Sequence, residues 1–216
     1  MPSPAKSARA ERSAATRRAI LAAAETVFAE RGLAGARTDA IAVKAGVNKA
    51  LLYYYFSSKE SLYQAVLEDH FREFNRQALE LLSAPGSARE ILLRYVSLHF
   101  DFISARHQYA SLFHQTMTAG GHLPERLVRK YFKPRNDAFT ALLERGMRAG
   151  EFRSADRFHT AVSIIAVIVF YFSCAPVLQL LAHSDAYNAA NLRRRKQEVL
   201  EFIGHSLFCE SKSPTS

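Results

Sequence analysis

The chain has 216 residues, of which 49% are hydrophobic and 23% are charged, and this apolar fraction excludes global disorder. Glycine and proline are few, nine and seven residues, and the prevalence of Ala, Leu, Arg and Glu favours helices over sheets. The formal net charge is +9, and residues 1–60 alone hold ten Lys/Arg against five Asp/Glu. Such a basic N-terminal part favours an anionic partner, nucleic acid first and an acidic membrane surface second.

The first predicted helix spans residues 13–31. Its apolar side chains recur every three or four residues and form one stripe: Ile20, Leu21, Ala24, Val27 and Phe28. Gly32 follows, at the position where a helix commonly ends with a left-handed residue. Residues 1–13 have no apolar core, which excludes a signal peptide and predicts a flexible basic arm.

Two short helices come next, one on each side of Gly46. The first is predicted at 39–45, with Thr38 as its N-cap. The second is predicted at 49–56, with Asn48 as its N-cap. Helices this short are not stable alone and need the helices that flank them. A short helix, a glycine turn and another short helix are typical of a helix-turn-helix, whose second helix enters the DNA major groove.

The second short helix is unusually apolar, because residues 51–56 read Leu-Leu-Tyr-Tyr-Tyr-Phe. These six side chains cannot all face inward, since a helix buries a stripe rather than its whole circumference. Leu52 and Phe56 make the best inward pair, with Ile41 and Val47 beside them. The outward face then holds side chains that suit phosphate and base contacts: Lys49, Ala50, Tyr53 and Tyr54.

The rest of the chain reads as a series of longer helices. A capping box from Ser57 to Glu60 opens a helix that ends near residue 82. Pro134 and Pro176 are expected to kink or split the helices that contain them. No stretch alternates with a period of two, so the predicted fold class is all-α with about nine helices. The remaining predicted helices span 88–106, 108–119, 124–149, 155–183 and 189–209.

Residues 16–68 resemble the DNA-binding head of the TetR/AcrR family of bacterial transcriptional regulators. The resemblance implies a helix-turn-helix at about 37–56 inside a DNA-binding domain at 14–74. It leaves 75–216 as an effector-binding and dimerisation domain. The matching residues keep a fixed spacing and are Ile20-Leu21, Ala24, Phe28, Gly32, Thr38, Ile41-Ala42, Ala45-Gly46-Val47, Leu52-Tyr53, Tyr55-Phe56 and Lys59-Glu60-Ser61-Leu62.

The resemblance also implies which residues contact DNA. Thr38 and Tyr53 match residues that bind the phosphate backbone, and Lys59 matches a lysine that pairs with a phosphate. Arg37 or Lys49 is suited to reading guanine, and Ala50 or Leu51 to touching a thymine methyl group. The positions at which family members vary and read bases are occupied here by Arg37, Asp39, Asn48, Lys49, Ala50, Leu51 and Tyr54.

The last two predicted helices are implied to form a four-helix interface between two copies of the chain. Their apolar stripes need cover from water. The predicted interface residues are Val162, Ile165, Val169, Phe172, Val199, Phe202, Ile203 and Leu207. A pocket for a mostly apolar effector is predicted among the middle helices, and its candidate residues are His99, Phe102, Tyr109, Phe113, His114, Met117, Phe139, Phe170 and Tyr171.

The favoured function is a cytoplasmic, homodimeric repressor that binds a palindromic double-stranded DNA operator and leaves it when a small ligand binds. Alternatives are a regulator without such a ligand, switched by a partner or acting as an activator, and a membrane-tethered protein that uses the charge-free segment 160–182. No cofactor is expected. The histidines and the distant pair Cys174 and Cys209 lack metal-ligand spacing, and no phosphate loop or nucleophile elbow is present, so an enzyme is not expected.

Overall fold

The structure is a computed structural model that describes residues 4–106, 108, 112, 116 and 124–209. It confirms the all-α fold class, since its regular elements in these ranges are helices and its one β-bridge, between Phe152 and Phe208, stands outside any strand. The chain forms two compact units. Unit 1 holds residues up to Phe71 together with Leu112 and Thr116, and unit 2 holds the other described residues.

Unit 1 contains three helices and the first half of a fourth. They are α1 (Pro4–Gly35), α2 (Thr38–Lys44), α3 (Lys49–Tyr55) and α4 (Lys59–Leu82), of which α4 continues into unit 2. The predicted stripe of α1 is buried, and it packs with apolar side chains from the other three helices. Burial of this shared core is what holds α2 and α3, each only seven residues long, in helical form. The core residues include Ile20, Ala24, Phe28, Ile41, Leu52, Phe56, Leu62 and Val66.

Helix α1 begins at Pro4, earlier than the predicted start at residue 13. The segment that was expected to be a flexible arm is therefore helical from Pro4 onward. The reason lies in its composition, because strong helix formers (Ala, Arg, Glu and Lys) predominate there and no further proline and no glycine interrupts them before Gly32. Gly32 has a φ of 66°, so the expected left-handed break is present.

The capping predictions have mixed outcomes. Asn48 caps α3 as expected, since its side chain accepts a hydrogen bond of 2.7 Å from the backbone N–H of Leu51. Thr38 is not an N-cap, because it is already the first residue of α2. The capping box of α4 lies one residue later than predicted, between Ser58 and Ser61, whose side chains each accept the other's backbone N–H at 3.0 Å.

Unit 2 is built from the second half of α4 and the remaining helices. Its core is one continuous cluster that includes Phe74, Leu92, Tyr95, Phe139 and Ile168. The predicted helix at 108–119 lies outside the described residues except for three positions. The described elements are α5 (Ala88–Ser104), α6 (Glu125–Leu127), a π-helical segment (Val128–Phe132), α7 (Lys133–Arg148), α8 (Arg157–Ser173), α9 (Ala175–Ala182) and α10 (Ala189–Leu207).

Both prolines interrupt their helices as predicted. Pro134 stands in the first turn of α7, directly after the π-helical segment, and the wider turn accommodates a residue that has no N–H to donate. Pro176 stands in the first turn of α9, and α9 is bent by 67° from α8. Among the described residues no single helix is long and apolar enough to cross a membrane, and α8 with α9 meet that test of length and composition only as this bent pair.

The loop that follows α7 is fixed by several contacts within unit 2. The ring of Phe152 stacks on Phe208 with a centroid separation of 5.7 Å. The backbone N–H groups of Glu151 and Phe152 both donate to the carbonyl oxygen of Gly146, at 2.9 and 3.1 Å. The Glu151 carboxylate accepts the backbone N–H of Arg89 at 2.9 Å and so helps to cap α5. These contacts join the end of α7 to α5 and to the end of α10.

Candidate nucleic-acid interface and effector site

Helix α3 has the two faces that its sequence predicts. Leu52 and Phe56 are buried and Val47 is half-buried. Tyr53 is 41% exposed and Tyr54 is 79% exposed. Lys49 and Ala50 are exposed as well, and Leu51 is half-buried. Large aromatic side chains beside a lysine therefore face solvent on a helix whose other side is anchored in the core, which is the arrangement that a groove-reading helix requires.

The hydroxyl groups of Thr38 and Tyr53 meet at the start of α2. Their oxygens lie 3.3 Å apart, and Thr38 is nearly buried whereas Tyr53 reaches solvent. Arg37, the exposed residue before α2, has an extended backbone and lies beside this pair in the chain. Two hydroxyl groups next to a helix start can both donate to one phosphate oxygen. The predicted phosphate contacts of Thr38 and Tyr53 therefore belong to one location.

Lys59 makes contacts that the sequence did not indicate. Its ammonium group donates to the carbonyl oxygens of Ala34 and Ala36, at 3.3 and 3.2 Å. These carbonyls lie at and just beyond the end of α1, so Lys59 ties the start of α4 to that end. An ammonium group has three N–H donors, and two are used here. Contact between Lys59 and a DNA phosphate stays a prediction.

One exposed side chain and two contacts on α1, α2 and α3 could not be predicted from the sequence. Val43, near the end of α2, is 80% exposed, although its residue type gives no reason to expect this. The hydroxyl of Tyr55 lies 2.9 Å from that of Ser13 on α1. The guanidinium of Arg17 lies 5.3 Å from the ring centre of Phe56. These two contacts fix the orientation of α3 against α1, and their pairings across the fold cannot be read from local periodicity.

Three of the predicted effector residues come together in an aromatic cluster of unit 2. His99 and Phe102 on α5 contact Phe74 on α4, with ring centres 4.5 and 5.0 Å apart. Phe139 on α7 contacts Tyr95 on α5, with ring centres 4.6 Å apart, and no local sequence pattern predicts a role for Tyr95. We refer to Phe74, Tyr95, His99, Phe102 and Phe139 as the aromatic cluster.

Two polar atoms of the aromatic cluster are buried and have no hydrogen-bond partner among the described residues. They are the hydroxyl oxygen of Tyr95 and the Nδ1 atom of His99. Burial and, to a smaller extent, the positive charge of Arg135 together lower the pKa of His99 to about 3. His99 is therefore neutral near pH 7. Leaving buried polar atoms without partners costs about 1–3 kcal/mol each, which a ligand that supplies hydrogen bonds would recover.

The other predicted effector residues lie elsewhere. Phe170 is 62% exposed on α8, so the structure does not bring it to the aromatic cluster. Tyr171 lines a separate, open groove of about 370 Å³ with residues of α9 and α10, and its hydroxyl donates to the carbonyl of Ala186 at 2.8 Å. Four candidates lie outside the described residues: Tyr109, Phe113, His114 and Met117.

The predicted dimer face requires a correction. Phe172, Val199, Ile203 and Leu207 are buried in the core of unit 2, so they cover their own chain and not a partner. Ile165 and Val169 are partly buried, whereas Val162 and Phe202 are 48% and 60% exposed. We define the outer face by the exposed apolar residues of the last three helices, which are Phe158, Val162, Phe170, Val177, Leu180, Leu181 and Phe202.

Comparison with known protein families matches most of the chain in two segments. The family described as "Bacterial regulatory proteins, tetR family" matches residues 20–66, and the "Tetracyclin repressor-like, C-terminal domain" matches residues 88–203. The transcriptional regulator RutR of Escherichia coli K12 is 33% identical over 196 residues, which cover 88% of this chain and 89% of RutR. The chain belongs to the TetR family of bacterial transcriptional regulators. It is a DNA-binding regulator and not an enzyme.

Solved structures share the same fold. The ketosteroid regulator KstR2 of Mycobacterium tuberculosis superposes with a TM-score of 0.74 at 19% identity, covering 90% of this chain and 95% of KstR2. FadR of Bacillus subtilis, in complex with stearoyl-CoA, has a TM-score of 0.70 at 21% identity, covering 86% of this chain and 96% of FadR. Among the described residues of this TetR-family chain no cluster of three or more metal-ligating side chains is present.

The first testable prediction concerns the hydroxyl pair of this TetR-family chain. Tyr53→Phe removes one of the predicted phosphate donors and is expected to lower affinity for every DNA sequence alike, by roughly 10- to 150-fold, because hydrogen bonds to charged groups contribute about 1.5–3 kcal/mol. Tyr55→Phe is the matched control, since its hydroxyl is paired with that of Ser13 on α1 of the same chain. Titration of fluorescent duplexes of several sequences measures this. A change of base preference in Tyr53→Phe would show that its hydroxyl reads bases.

Proposed function

We propose that the protein is a homodimeric repressor that binds a palindromic operator and is released from it by a small, mostly apolar ligand. The observation that carries ligand release is the pair of buried, unpartnered polar atoms on Tyr95 and His99. Aromatic side chains surround both atoms, which fits a molecule with a large apolar part and one or two hydrogen-bonding groups. The binding of stearoyl-CoA by FadR, a protein of the same fold, supports a small-molecule effector without identifying it.

DNA binding by the proposed repressor uses the exposed face of α3 and the start of α2. The proposed contacts to the phosphate backbone come from Thr38, Tyr53 and Lys59. The proposed base contacts come from Arg37, Asn48, Lys49, Ala50, Leu51 and Tyr54. Backbone contacts position the protein on DNA and base contacts select the sequence. The domain boundary near residue 74 and the cytoplasmic location stay predictions.

Dimerisation would use the outer face of α8, α9 and α10. Seven large apolar side chains of these three helices are exposed in the single chain, and water-exposed apolar surface of this amount usually marks an interface. Two identical copies related by a two-fold axis would present two identical α3 helices. Such a pair matches a palindromic operator with half-sites one helical turn apart, or a multiple of that distance.

A contact inside unit 1 suggests how ligand binding could affect the DNA-binding helices. The hydroxyl of Tyr63 on α4 lies 2.7 Å from that of Thr116 and donates to the carbonyl of Leu112 at 3.3 Å. Tyr63 also packs edge-on against Phe28 of α1. The predicted effector residues Phe113 and Met117 adjoin Leu112 and Thr116 in the chain. Movement of this segment would therefore act directly on α4 and α1.

The experiment measures operator affinity against the concentration of each compound in a series of aliphatic alcohols, fatty acids and aromatic ketones. We expect at least one compound to weaken operator binding in the wild type but not in Tyr95→Phe. The Phe ring keeps the packing, and removal of an unpartnered hydroxyl should not lower stability. Tyr171→Phe is the control, because Tyr171 lines the separate groove. If a compound weakens operator binding in the wild type and in Tyr95→Phe but not in Tyr171→Phe, the effector site lies in that groove instead. If no compound acts, a regulator without a small-molecule effector replaces this proposal.

A further inference from the structure

Asp39 and Lys49 form an ion pair that links the first turns of α2 and α3. The ammonium nitrogen of Lys49 lies 2.9 Å from one carboxylate oxygen of Asp39 and 3.1 Å from the other. Both side chains are more than half exposed, and the hydrogen bond to Asp39 raises the pKa of Lys49. The pair stands beside Tyr53 and Tyr54, on the face that we propose meets DNA. An exposed ion pair contributes little to stability, so a stabilising role does not account for it.

We propose that Asp39 and Lys49 act together to recognise one C·G base pair in each half-site, an inference that rests on the proposed DNA-binding face. The charges on the two side chains define what they can bind. Lys49 has three N–H donors, of which the carboxylate occupies at most two, and Asp39 has about four acceptor positions, of which at most two are used. Each side chain can therefore bind a base while the ion pair stays intact. The pair presents a donor directly beside an acceptor.

Among the base pairs, C·G fits this arrangement with the fewest repulsive contacts in the major groove. Guanine presents two neighbouring acceptors, O6 and N7, and its partner cytosine presents an N4 amino donor beside them. Lys49 would donate to the guanine and Asp39 would accept from the cytosine. An A·T pair places the adenine amino group between two acceptors, N7 and the thymine O4, both of which repel a carboxylate. The carboxylate thus adds discrimination against A·T as well as attraction to C·G.

A simpler role for Asp39 would be to neutralise Lys49. In that case removal of the carboxylate frees a positive charge near the phosphates and strengthens binding to all sequences. The two roles therefore predict opposite outcomes. Neutralisation changes affinity and leaves base preference unaltered, whereas recognition changes the preference at one position.

The test is selection of binding sites from random duplex DNA, followed by affinity measurements on duplexes that differ at one position. The proteins are the wild type, Asp39→Ala, Lys49→Ala, the double variant and Asp39→Asn. We expect the wild type to prefer C·G at one position of each half-site by roughly 5- to 100-fold. Both single alanine variants should lose this preference at the same position, and the double variant should lose no more than either. Asp39→Asn should gain preference for adenine there, because an amide binds the adenine N6 and N7 atoms together.

The control variants are Lys133→Ala and Asp137→Ala, which break an exposed ion pair of 2.6 Å on α7 and should leave the selected sequence unchanged. Thermal melting checks that every variant is folded. Two results would overturn the inference: stronger binding to all sequences in Asp39→Ala with the preference retained, or loss of preference at different positions in the two single variants. If the wild type selects no sequence at all, the proposed DNA-binding face fails together with this inference.

Discussion

The single substitutions Val162→Glu and Phe202→Glu are each expected to convert the dimer into monomers and to lower operator affinity by at least roughly 100-fold. Both side chains are about half exposed or more, on α8 and α10, and an interface there would bury the introduced charge without a partner. Connecting two DNA-binding heads raises affinity by about 10²–10⁴ over one head, so a monomer loses that factor. Sedimentation at micromolar concentration measures the association, and titration of operator DNA measures the affinity.

The control for this prediction is Val128→Glu. Val128 is also an exposed apolar residue, at 38%, but it lies in the π-helical segment and outside the outer face. The Val128→Glu variant should remain dimeric and bind the operator with wild-type affinity. The glutamate variants should still bind a single half-site as well as a wild-type head does. If Val162→Glu and Phe202→Glu stay dimeric, the two copies associate through another surface.

Gly146→Ala is expected to destabilise unit 2 strongly. A Cβ atom at this position of α7 would overlap the ring carbons Cγ, Cδ2 and Cε2 of Phe152. The ring cannot withdraw easily, because it stacks on Phe208 and its own backbone N–H is bonded to Gly146. Overpacking of this kind costs about 1–3 kcal/mol in free energy of unfolding. For a chain of this size the loss lowers Tm by roughly 2–12 °C.

Gly204→Ala provides the matched control for this substitution. Gly204 lies inside α10, and a Cβ atom there would meet only Phe208 carbons at 3.5 Å, an ordinary contact. Alanine is favoured over glycine in a helix interior by about 1 kcal/mol, so this variant should be as stable as the wild type or more stable. Calorimetry or urea denaturation of both variants checks the contrast. Equal stability of Gly146→Ala and the wild type would mean that Phe152 is not held against α7.

Much of unit 1 was predictable because its constraints are local in the chain. The faces of α3 follow from the apolar run at 51–56, since only a stripe of such a run can be buried. In unit 2, the breaks beside Pro134 and Pro176 are equally local, because they follow from the missing N–H of proline. The predicted start of α1, at residue 13, was too late. A flexible arm was expected because residues 1–13 lack an apolar stripe, but helix propensity alone is enough to extend the helix to Pro4.

The less predictable features depend on partners that are distant in the chain. Val199, Ile203 and Leu207 form an apolar stripe that is the same whether the chain's own core or a second copy covers it, so periodicity cannot assign its partner. Lys59 reaches two carbonyl oxygens more than twenty residues away, which its residue type does not indicate. Tyr95 was missed for the same reason, because its burial beside Phe139 arises only when α5 and α7 pack together.

The most direct test of the proposed function is selection from random duplex DNA with the full chain purified without detergent. We expect enrichment of two inverted half-sites whose centres lie one helical turn apart or a multiple of it. The enriched site should bind one dimer with an affinity at least 1,000-fold above that for unrelated DNA at the same salt concentration. Absence of any enriched sequence from a folded, dimeric preparation would contradict the proposal that this chain is a sequence-specific repressor.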